Sequence, residues 1–380
     1  MNLAQNALAT LALSTLATVA CAQEASSDCP SVDIGKCFTD LSTGIRMAYV
    51  ETGPKDGPAL ILLHGLTGSA RSWADTMAAI QQKDPSLHVI AVDQRGHGAA
   101  SMPDPNVCAA DPKACFTPKH FADDLIAFMD AKGLEKAAVA GSSMGSLIAQ
   151  ELALTHPERV TATILLGSTA ASKDNPILSY YLLDDPVHGA WAEGLQAKGI
   201  TSPEAIYNAT PQDADPNIQT WLSEVWVVSL FADPALLQAV SNETAQVKMG
   251  TWIGATEALL AYDNSGHLGD LKVPTLALWG TQDTVFPLKP DQEMLQEALA
   301  SARGQGTPTY WKQYGVEPLP DNGLQVGDFG HNLQWEAPVP LADDIVAFLK
   351  TGEPTRDAVR IGKGSKVEVT PDAAMIVGGK

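Results

Sequence analysis

The segment Gly141–Gly145 constrains this chain more than any other. Its sequence, Gly-Ser-Ser-Met-Gly, fits the pattern G-x-S-x-G. The mostly apolar run 136–140 predicts a short strand before it, and residues 146–154 are apolar at helical spacing after it. Where a strand turns sharply into a helix, neighbouring backbone passes close by, and only glycine fits at the flanks. The pattern therefore predicts a tight elbow that holds Ser143 above a sheet.

Buried strands and helices alternate on both sides of this elbow. The predicted strands are 37–41, 45–51, 59–63, 89–92, 136–140, 162–167, 275–280 and 310–314. The predicted helices are 69–82, 118–132, 146–154 and 339–350. Thr117 suits the N-cap of the second helix, with Pro118 in its first turn and Gly133 at its end. This alternation predicts an α/β fold, with a mostly parallel central sheet flanked by helices.

The alternation stops between residues 172 and 263, where the sequence is helical, loop-rich and aromatic. Four of the eight tryptophans lie there: Trp191, Trp221, Trp226 and Trp252. Such tryptophans pack in a core or contact a substrate, and their concentration favours an apolar pocket. We interpret the segment as an inserted helical cap. The expected organisation is a signal peptide at 1–22, the first part of the core at 23–171, the cap at 172–263, the second part of the core at 264–351, and a C-terminal extension without clear periodicity at 352–380.

The N-terminus has the features of a secretory signal. The first 22 residues carry no charged side chain, and the apolar run 7–20 is too short to span a bilayer comfortably. Small residues flank Cys21, as a signal peptidase requires. We therefore expect a secreted or periplasmic protein without a stable membrane span. The alternative is a lipid anchor on Cys21, because Thr18–Cys21 resembles a lipobox, although threonine stands where leucine is usual.

Four cysteines remain after the leader, in two close pairs. An even number on an exported chain predicts the disulfides Cys29–Cys37 and Cys108–Cys115, with four free thiols as the alternative. Neither pair has the C-x₂-C spacing of a zinc site, and no histidine lies near them. We expect structural bridges and no metal here.

Charge and composition narrow the partners. The net charge is −20 at pH 7 and the isoelectric point is about 4.6, which disfavours nucleic acids and anionic membrane surfaces as partners. Hydrophobic residues make up 45% of the chain, enough for a large core. The composition therefore favours a globular protein.

A serine hydroxyl becomes a good nucleophile only beside a base that a third group orients. His331 lies in a glycine-containing loop, 327–332, after the last predicted core strand. Asp283 follows the strand 275–280. The candidate catalytic residues are therefore Ser143, Asp283 and His331, in that order along the chain.

Backbone N–H groups must also bind the oxyanion that forms in acyl transfer. One candidate donor is the N–H of Met144, directly after the nucleophile and at a helix N-terminus. The other is the N–H of Leu66, in the loop after strand 59–63. His64, in the same loop, is expected to shape it rather than to transfer protons.

Other residues compete for these roles. Asp174 follows strand 162–167 and is an alternative acid, while Asp328 lies three residues before His331. His97 is an alternative base, although its Arg-Gly-His-Gly setting favours a structural role. The remaining histidines are scattered without ligand spacing, so we expect no metal and no cofactor.

Together these motifs resemble the α/β-hydrolase fold family over about residues 45–350. The matching features are the loop His64–Leu66, the elbow, Asp283, His331 and the D-x-R-G-x-G turn Asp93–Gly98. The position of the segment 172–263 is also similar to that of the family's cap. The resemblance implies an esterase- or lactonase-like member with a serine nucleophile. Haloalkane dehalogenases and epoxide hydrolases of the same fold use aspartate at that position.

The leading hypothesis is an exported serine hydrolase that cleaves a carboxylic ester or lactone, and its expected partner is a small-molecule or polymer-derived ester substrate. One alternative keeps the triad but acts on a carbon–carbon bond of a β-diketone, on an amide or peptide, or in perhydrolysis. Another is a ligand-binding homologue without catalysis, because fold alone does not fix function.

Overall fold

The main feature of the fold is a nine-stranded sheet. The computed structural model describes residues 29–316 and 327–379. The expected signal at 1–22 and the alternative anchor at Cys21 lie outside these residues. In chain order the strands are β1 (Cys37–Asp40), β2 (Arg46–Thr52), β3 (Ala59–Leu63), β4 (His88–Asp93), β5 (Ala137–Ser142), β6 (Val160–Leu166), β7 (Thr275–Gly280), β8 (Thr309–Tyr314), β9 (Ala358–Ile361), β10 (Val367–Thr370) and β11 (Ile376–Gly379).

The strand order across the sheet is β1-β2-β4-β3-β5-β6-β7-β8-β11. The six strands from β4 to β8 in this order run parallel, whereas β1, β2 and β11 pair antiparallel with their neighbours. Every residue of β4, β5 and β7 is buried, as expected for continuous apolar strands covered on both faces. The predicted fold class is confirmed.

Helices cover both faces of the sheet. The α-helices are α1 (Ala74–Lys83), α2 (Pro105–Cys108), α3 (Pro118–Lys132), α4 (Met144–Thr155), α5 (Ala192–Ala197), α6 (Pro203–Asn208), α7 (Pro211–Ala214), α8 (Ile218–Trp221), α9 (Pro234–Thr244), α10 (Met249–Leu259), α11 (Glu293–Gly304), α12 (Leu333–Glu336) and α13 (Pro338–Thr351). Shorter 3₁₀ turns are Ala70–Trp73, Pro112–Cys115, Pro157–Arg159 and Leu268–Asp270. Segments of π-helix are Ile177–Trp191, Leu222–Trp226 and Leu288–Gln292. The Thr117 side chain caps α3, and Gly133 ends that helix in the left-handed conformation, as the sequence predicts.

The sheet separates two hydrophobic clusters. Ile61 and Leu63 of β3 belong to one cluster and Leu60 and Leu62 to the other, because successive side chains of a strand point to opposite faces. The first cluster includes the apolar faces of α3 and α4, and the second includes those of α1 and α13. Trp73 is fully buried in the second cluster. The two layers fix the elbow between β5 and α4 at the edge where the parallel strands end.

Residues 172–263 form a helical excursion between β6 and β7. A bridge joins Ala171 to Asp263, and the Asn264 N–H donates to the Ala170 carbonyl at 2.9 Å. The chain therefore leaves the core and returns to it at one point. The excursion contacts the loop after β3 through Thr67, whose hydroxyl accepts from Trp226 Nε1 at 2.8 Å.

The C-terminal extension is more regular than its sequence suggests. β9 and β10 form an antiparallel hairpin, and β11 adds an antiparallel strand to β8 at the edge of the main sheet. Each strand has four residues, and β11 reads Ile-Val-Gly-Gly, too short and glycine-rich to give a period-2 signal. Tertiary pairing rather than local pattern determines these strands.

Both predicted disulfides are present. Cys29 pairs with Cys37 and Cys108 with Cys115, with Cα–Cα distances of 5.5 and 5.9 Å. Such bridges occur mainly in exported proteins, and they are compatible with a secreted or periplasmic location. No helix within residues 29–316 and 327–379 is long and apolar enough to cross a bilayer.

Candidate active site

The elbow holds Ser143 in a rarely occupied backbone conformation. Its φ and ψ are 53° and −122°, and its N–H donates to the Leu166 carbonyl at 2.9 Å. A Cβ on Gly141 would collide with the Gly145 backbone, and one on Gly145 would collide with the Leu63 carbonyl. The glycines are therefore required by close backbone approach. A strained backbone conformation of this kind persists only where the surrounding structure holds it in place, and such residues cluster at functional sites.

His331 and Asp283 lie together in the fold although 48 residues separate them. His331 Nδ1–H donates to the carboxylate, with both oxygens 2.9 Å from the nitrogen. Asp283 is fully buried, and its Oδ1 also accepts from the N–H groups of Val285 and Phe286 at 2.8 and 2.9 Å. These backbone donors fix the carboxylate, which in turn fixes the imidazole ring.

Close backbone packing positions the His331 loop. Gly167, just after β6, has a φ of +48°, and a Cβ there would lie 2.8 Å from the His331 carbonyl oxygen. The Gln282 N–H donates to the Phe329 carbonyl at 2.7 Å, which connects the loop after β7 to the His331 loop. The Phe286 ring packs edge-on against the imidazole at 5.5 Å between centroids. Sequence reasoning did not single out Gly167, whose signal is a glycine directly after a core strand.

Two candidate oxyanion donors border the same cavity as Ser143. Leu66 and Met144 both line this cavity. Among the described residues, neither backbone N–H group donates a hydrogen bond to an acceptor. Met144 is the first residue of α4, where the helix dipole favours negative charge. Free N–H groups beside a serine side chain are the arrangement that an oxyanion requires.

The cavity has a volume of about 410 Å³ and joins these parts. Ser143 and His331 line it, as do the loop after β3 and the helical excursion. Most of the side chains contributed by the excursion are apolar: Ile177, Leu178, Tyr181, Val225, Trp226, Val227, Val228, Leu230, Val240 and Leu259. A concave, mostly apolar site with a few convergent polar groups is typical of small-molecule binding.

Comparison with known proteins shows the family of this chain. The family model described as alpha/beta hydrolase fold matches residues 58–338, about three quarters of the chain. The chain belongs to the alpha/beta hydrolase fold family. Its relatives include the 3-oxoadipate enol-lactonase 2 of Acinetobacter baylyi, 26% identical over 267 residues, which are 70% of this chain and 86% of that protein. An epoxide hydrolase of Caballeronia sordidicola is 24% identical over 82% of this chain and 93% of its own length.

Solved structures share the fold of this hydrolase. An esterase from Exiguobacterium antarcticum superposes with a TM-score of 0.59 at 18% identity, over 83% of this chain and 99% of that one. At such identity the likeness concerns the fold alone. It does not assign a substrate.

The tryptophans of the excursion form one aromatic cluster in the hydrolase. Trp191, Trp221, Trp226 and Trp252 have ring centroids 5.1–6.3 Å apart in their contacting pairs. Trp226 lines the cavity, whereas Trp191 and Trp252 are buried behind it. Trp191 and Trp252 therefore pack as core, whereas Trp226 faces the cavity.

The alternative bases are buried and bound to the backbone. His64 Nδ1–H donates to the Gly65 carbonyl at 2.8 Å, and its Nε2 accepts from the Gln94 N–H at 3.1 Å. Burial lowers the pKa of His64 to about 4 and that of His97 to about 3. Both rings are therefore neutral at pH 7. The contacts of His64 hold the loop that presents Leu66.

The alternative acids are placed differently from Asp283. Asp174 is exposed at a turn after β6, and no hydrogen bond joins it to His331 among the described residues. Asp328 borders the cavity, but its carboxylate accepts from the N–H groups of Val316 and Phe329 at 2.6 and 3.0 Å. Of these three acids, only Asp283 is hydrogen-bonded to the imidazole.

A buried carboxylate beside the site was not identified from sequence. Glu336 lines the cavity and is 6% exposed. It accepts from the Gly330 N–H at 2.7 Å and from the Ser229 hydroxyl at 2.8 Å. Burial raises the pKa of Glu336 to about 7, against the lowering effect of these two donors. The available signal was an acid within the apolar stretch 333–337, five residues after the candidate histidine.

No group of three or more His, Cys, Asp or Glu side chains suited to a metal ion occurs in residues 29–316 and 327–379. The arrangement described above is suited to acyl transfer by a serine nucleophile.

Proposed function

We propose that this hydrolase cleaves a carboxylic ester or lactone through Ser143, His331 and Asp283, with an acyl-enzyme intermediate. One observation carries the proposal. Ser143, in its strained elbow, lines the same cavity as His331, and His331 Nδ1 is hydrogen-bonded to the buried carboxylate of Asp283. The serine also distinguishes the chain from members of the fold that use an aspartate nucleophile. A relative named as an enol-lactonase favours the same chemistry.

The first half-reaction forms the acyl-enzyme. Ser143 Oγ attacks the carbonyl carbon while His331 Nε2 takes the hydroxyl proton. Asp283 keeps the proton on Nδ1, so that Nε2 is free to accept, and it stabilises the imidazolium that forms. The N–H groups of Leu66 and Met144 bind the oxyanion. The imidazolium then gives its proton to the leaving alcohol.

The second half-reaction reverses these proton movements. His331 takes a proton from a water molecule, which attacks the acyl carbon, and the oxyanion returns to the same two N–H groups. The tetrahedral intermediate then collapses, the bond from its carbon to Ser143 Oγ breaks, the His331 imidazolium returns its proton to Oγ, and the acid leaves. For a lactone, acid and alcohol leave as one hydroxy acid.

We also propose that residues 172–263 act as a cap and that the protein is exported. The excursion contributes most of the apolar cavity wall and hydrogen-bonds the loop after β3 through Thr67. Closing an apolar wall over a site excludes water and strengthens polar interactions there. The leader sequence and the two disulfides support export.

A substrate panel tests the reaction class. The panel contains p-nitrophenyl esters, lactones, β-diketones and aminoacyl amides, assayed beside labelling by a fluorophosphonate probe. We expect hydrolysis of at least one ester or lactone and stoichiometric labelling. Labelling without any ester or lactone turnover would move the reaction to another bond, and absence of both would indicate a ligand-binding homologue.

We propose that Glu336 positions the His331 loop. Its carboxylate connects the Gly330 N–H, next to His331, with Ser229 of the cap. Glu336→Ala leaves a buried N–H group without its acceptor, at a cost of about 1.5–3 kcal/mol. We expect Glu336→Ala to lower kcat at least about tenfold and to reduce the melting temperature.

Glu336→Gln is the matched variant, because its amide can still accept from Gly330 and donate to Ser229. We expect it to recover most of the activity and the stability. Burial raises the pKa of Glu336 to about 7, so on the acid side of neutral pH this carboxyl is mostly protonated and the amide removes little charge. The acid limb of kcat/KM should therefore stay within about 0.3 pH units of its wild-type position. If the alanine variant behaves like wild type, Glu336 has no positioning role.

A further inference from the structure

We propose that the cavity selects an ester or lactone with an uncharged, apolar acyl group and rejects one that carries a carboxylate. The inference rests on the proposed function and adds the substrate class. Two features of the cavity support this selectivity: the apolar wall contributed by the cap, and the negative sign of the charged side chains around the site. The triad determines neither feature.

The cap wall suits a hydrocarbon chain. Val225, Val228 and Leu230 line the cavity and remain 43–60% exposed, so they form an apolar rim around its mouth. Trp226 and Val227 continue the apolar wall inward. An acyl chain that reaches from Ser143 toward this rim exchanges water for apolar contact. Each added methylene is expected to raise kcat/KM by up to about fourfold until the wall is filled.

The charged side chains of the lining are acidic. They are Glu224 at the mouth, Asp328 and Glu336, and no Lys or Arg lines the cavity among the described residues. The segment 317–326, which precedes the His331 loop and is not described, contains no Lys or Arg in its sequence. A substrate carboxylate would therefore find no cationic partner from either source.

Two cations close to the turn after β3 are already paired. Arg71 adjoins the lining residue Ser72, but its guanidinium bonds Glu243 at 2.5 Å and Asp33 at 2.7 Å. Lys36 bonds Asp93 at 2.8 Å. These pairs hold the first disulfide loop, the turn after β3 and the cap together. A cation engaged in this way is not available to an anionic ligand without breaking a partly buried pair.

Burying a carboxylate in such a cavity has two costs. The anion loses its hydration without gaining a charged partner, and it is repelled by the acidic side chains. The uncharged chain avoids both costs. Because the net charge of the whole protein is −20, the long-range field also disfavours the approach of anions.

The test compares three acyl groups of matched length on one leaving group. The substrates are p-nitrophenyl hexanoate, mono-p-nitrophenyl adipate and methyl p-nitrophenyl adipate. The second replaces the terminal methyl of the first by a carboxylate, and the third masks that charge as an ester. We expect kcat/KM for the adipate monoester to be at least about 100-fold below that for hexanoate, with the masked diester recovering at least tenfold. Values for the monoester within threefold of hexanoate would overturn the proposal.

A charge-introducing variant tests the cause. Leu230→Lys places a cation at the rim, and Leu230→Met changes the same side chain without charge. We expect the ratio of adipate-monoester to hexanoate kcat/KM to rise at least fivefold in Leu230→Lys relative to Leu230→Met. An equal ratio in the two variants would show that charge at the cavity does not set the preference.

A binding measurement separates this inference from the proposed reaction. Trp226 and Trp335 line the cavity, so tryptophan fluorescence can report occupancy without turnover. With Ser143→Ala, methyl hexanoate should bind at least tenfold more tightly than monomethyl adipate. If no ester is hydrolysed but this difference holds, the reaction is wrong and the selectivity stands. If the two ligands bind equally, the selectivity is wrong whatever the reaction.

Discussion

Ser143→Ala should lower kcat for the best ester of the panel by about 10⁴- to 10⁶-fold. The variant removes the atom that attacks the carbonyl, and the remaining residues then supply only binding and oxyanion stabilisation. The measurement is kcat on a p-nitrophenyl ester, together with loss of fluorophosphonate labelling. Near-full activity in Ser143→Ala would refute the assigned nucleophile.

The fold should survive this change. The hydrogen bonds that the structure gives to Ser143 come from its backbone, and alanine at φ 53° is no more strained than serine. Ser142→Ala is the matched control in the same elbow. It removes a bond of 3.1 Å from the Ser142 hydroxyl to Gln334, with a net cost of about 1 kcal/mol. We expect this control to retain labelling and at least about a tenth of the activity.

The core of the fold was predictable because local pattern and tertiary environment agree there. A run such as Ala59–Leu63 is apolar throughout, and it forms a strand covered on both faces. The extension shows the opposite case, since β11 contains two glycines and forms a strand only by pairing with β8. The sequence of β11 taken alone does not predict a strand.

Part of the candidate site was predictable, because its chemistry requires particular residue types that follow one another in a set order along the chain. Ser143, Asp283 and His331 were chosen from motifs and strand ends, and the structure places the last two within hydrogen-bond distance. Glu336 was not predicted, because an acid in a helix is ordinarily a solvated side chain. Only the three-dimensional packing of the segment 172–263 against the His331 loop shows that this carboxylate is buried.

Asp283→Asn should lower kcat by about 10⁴-fold, for a reason specific to this carboxylate. Oδ1 already accepts from the N–H groups of Val285 and Phe286, so the amide oxygen of asparagine will keep that position. The amide NH₂ then faces His331 Nδ1 and donates to it. This contact favours the tautomer with the proton on Nε2, and in that tautomer Nε2 cannot accept the serine proton.

Asp174→Asn is the control, since Asp174 is exposed at a turn and should change kcat by less than about twofold. The comparison uses kcat on the same p-nitrophenyl ester at neutral pH, with circular dichroism to show that each variant is folded. If Asp283→Asn keeps more than a tenth of the activity while Asp328→Asn loses it, the orienting role belongs to Asp328. We expect Asp283→Asn to lose activity, because the backbone N–H groups that donate to Oδ1 fix the orientation of the asparagine amide at position 283.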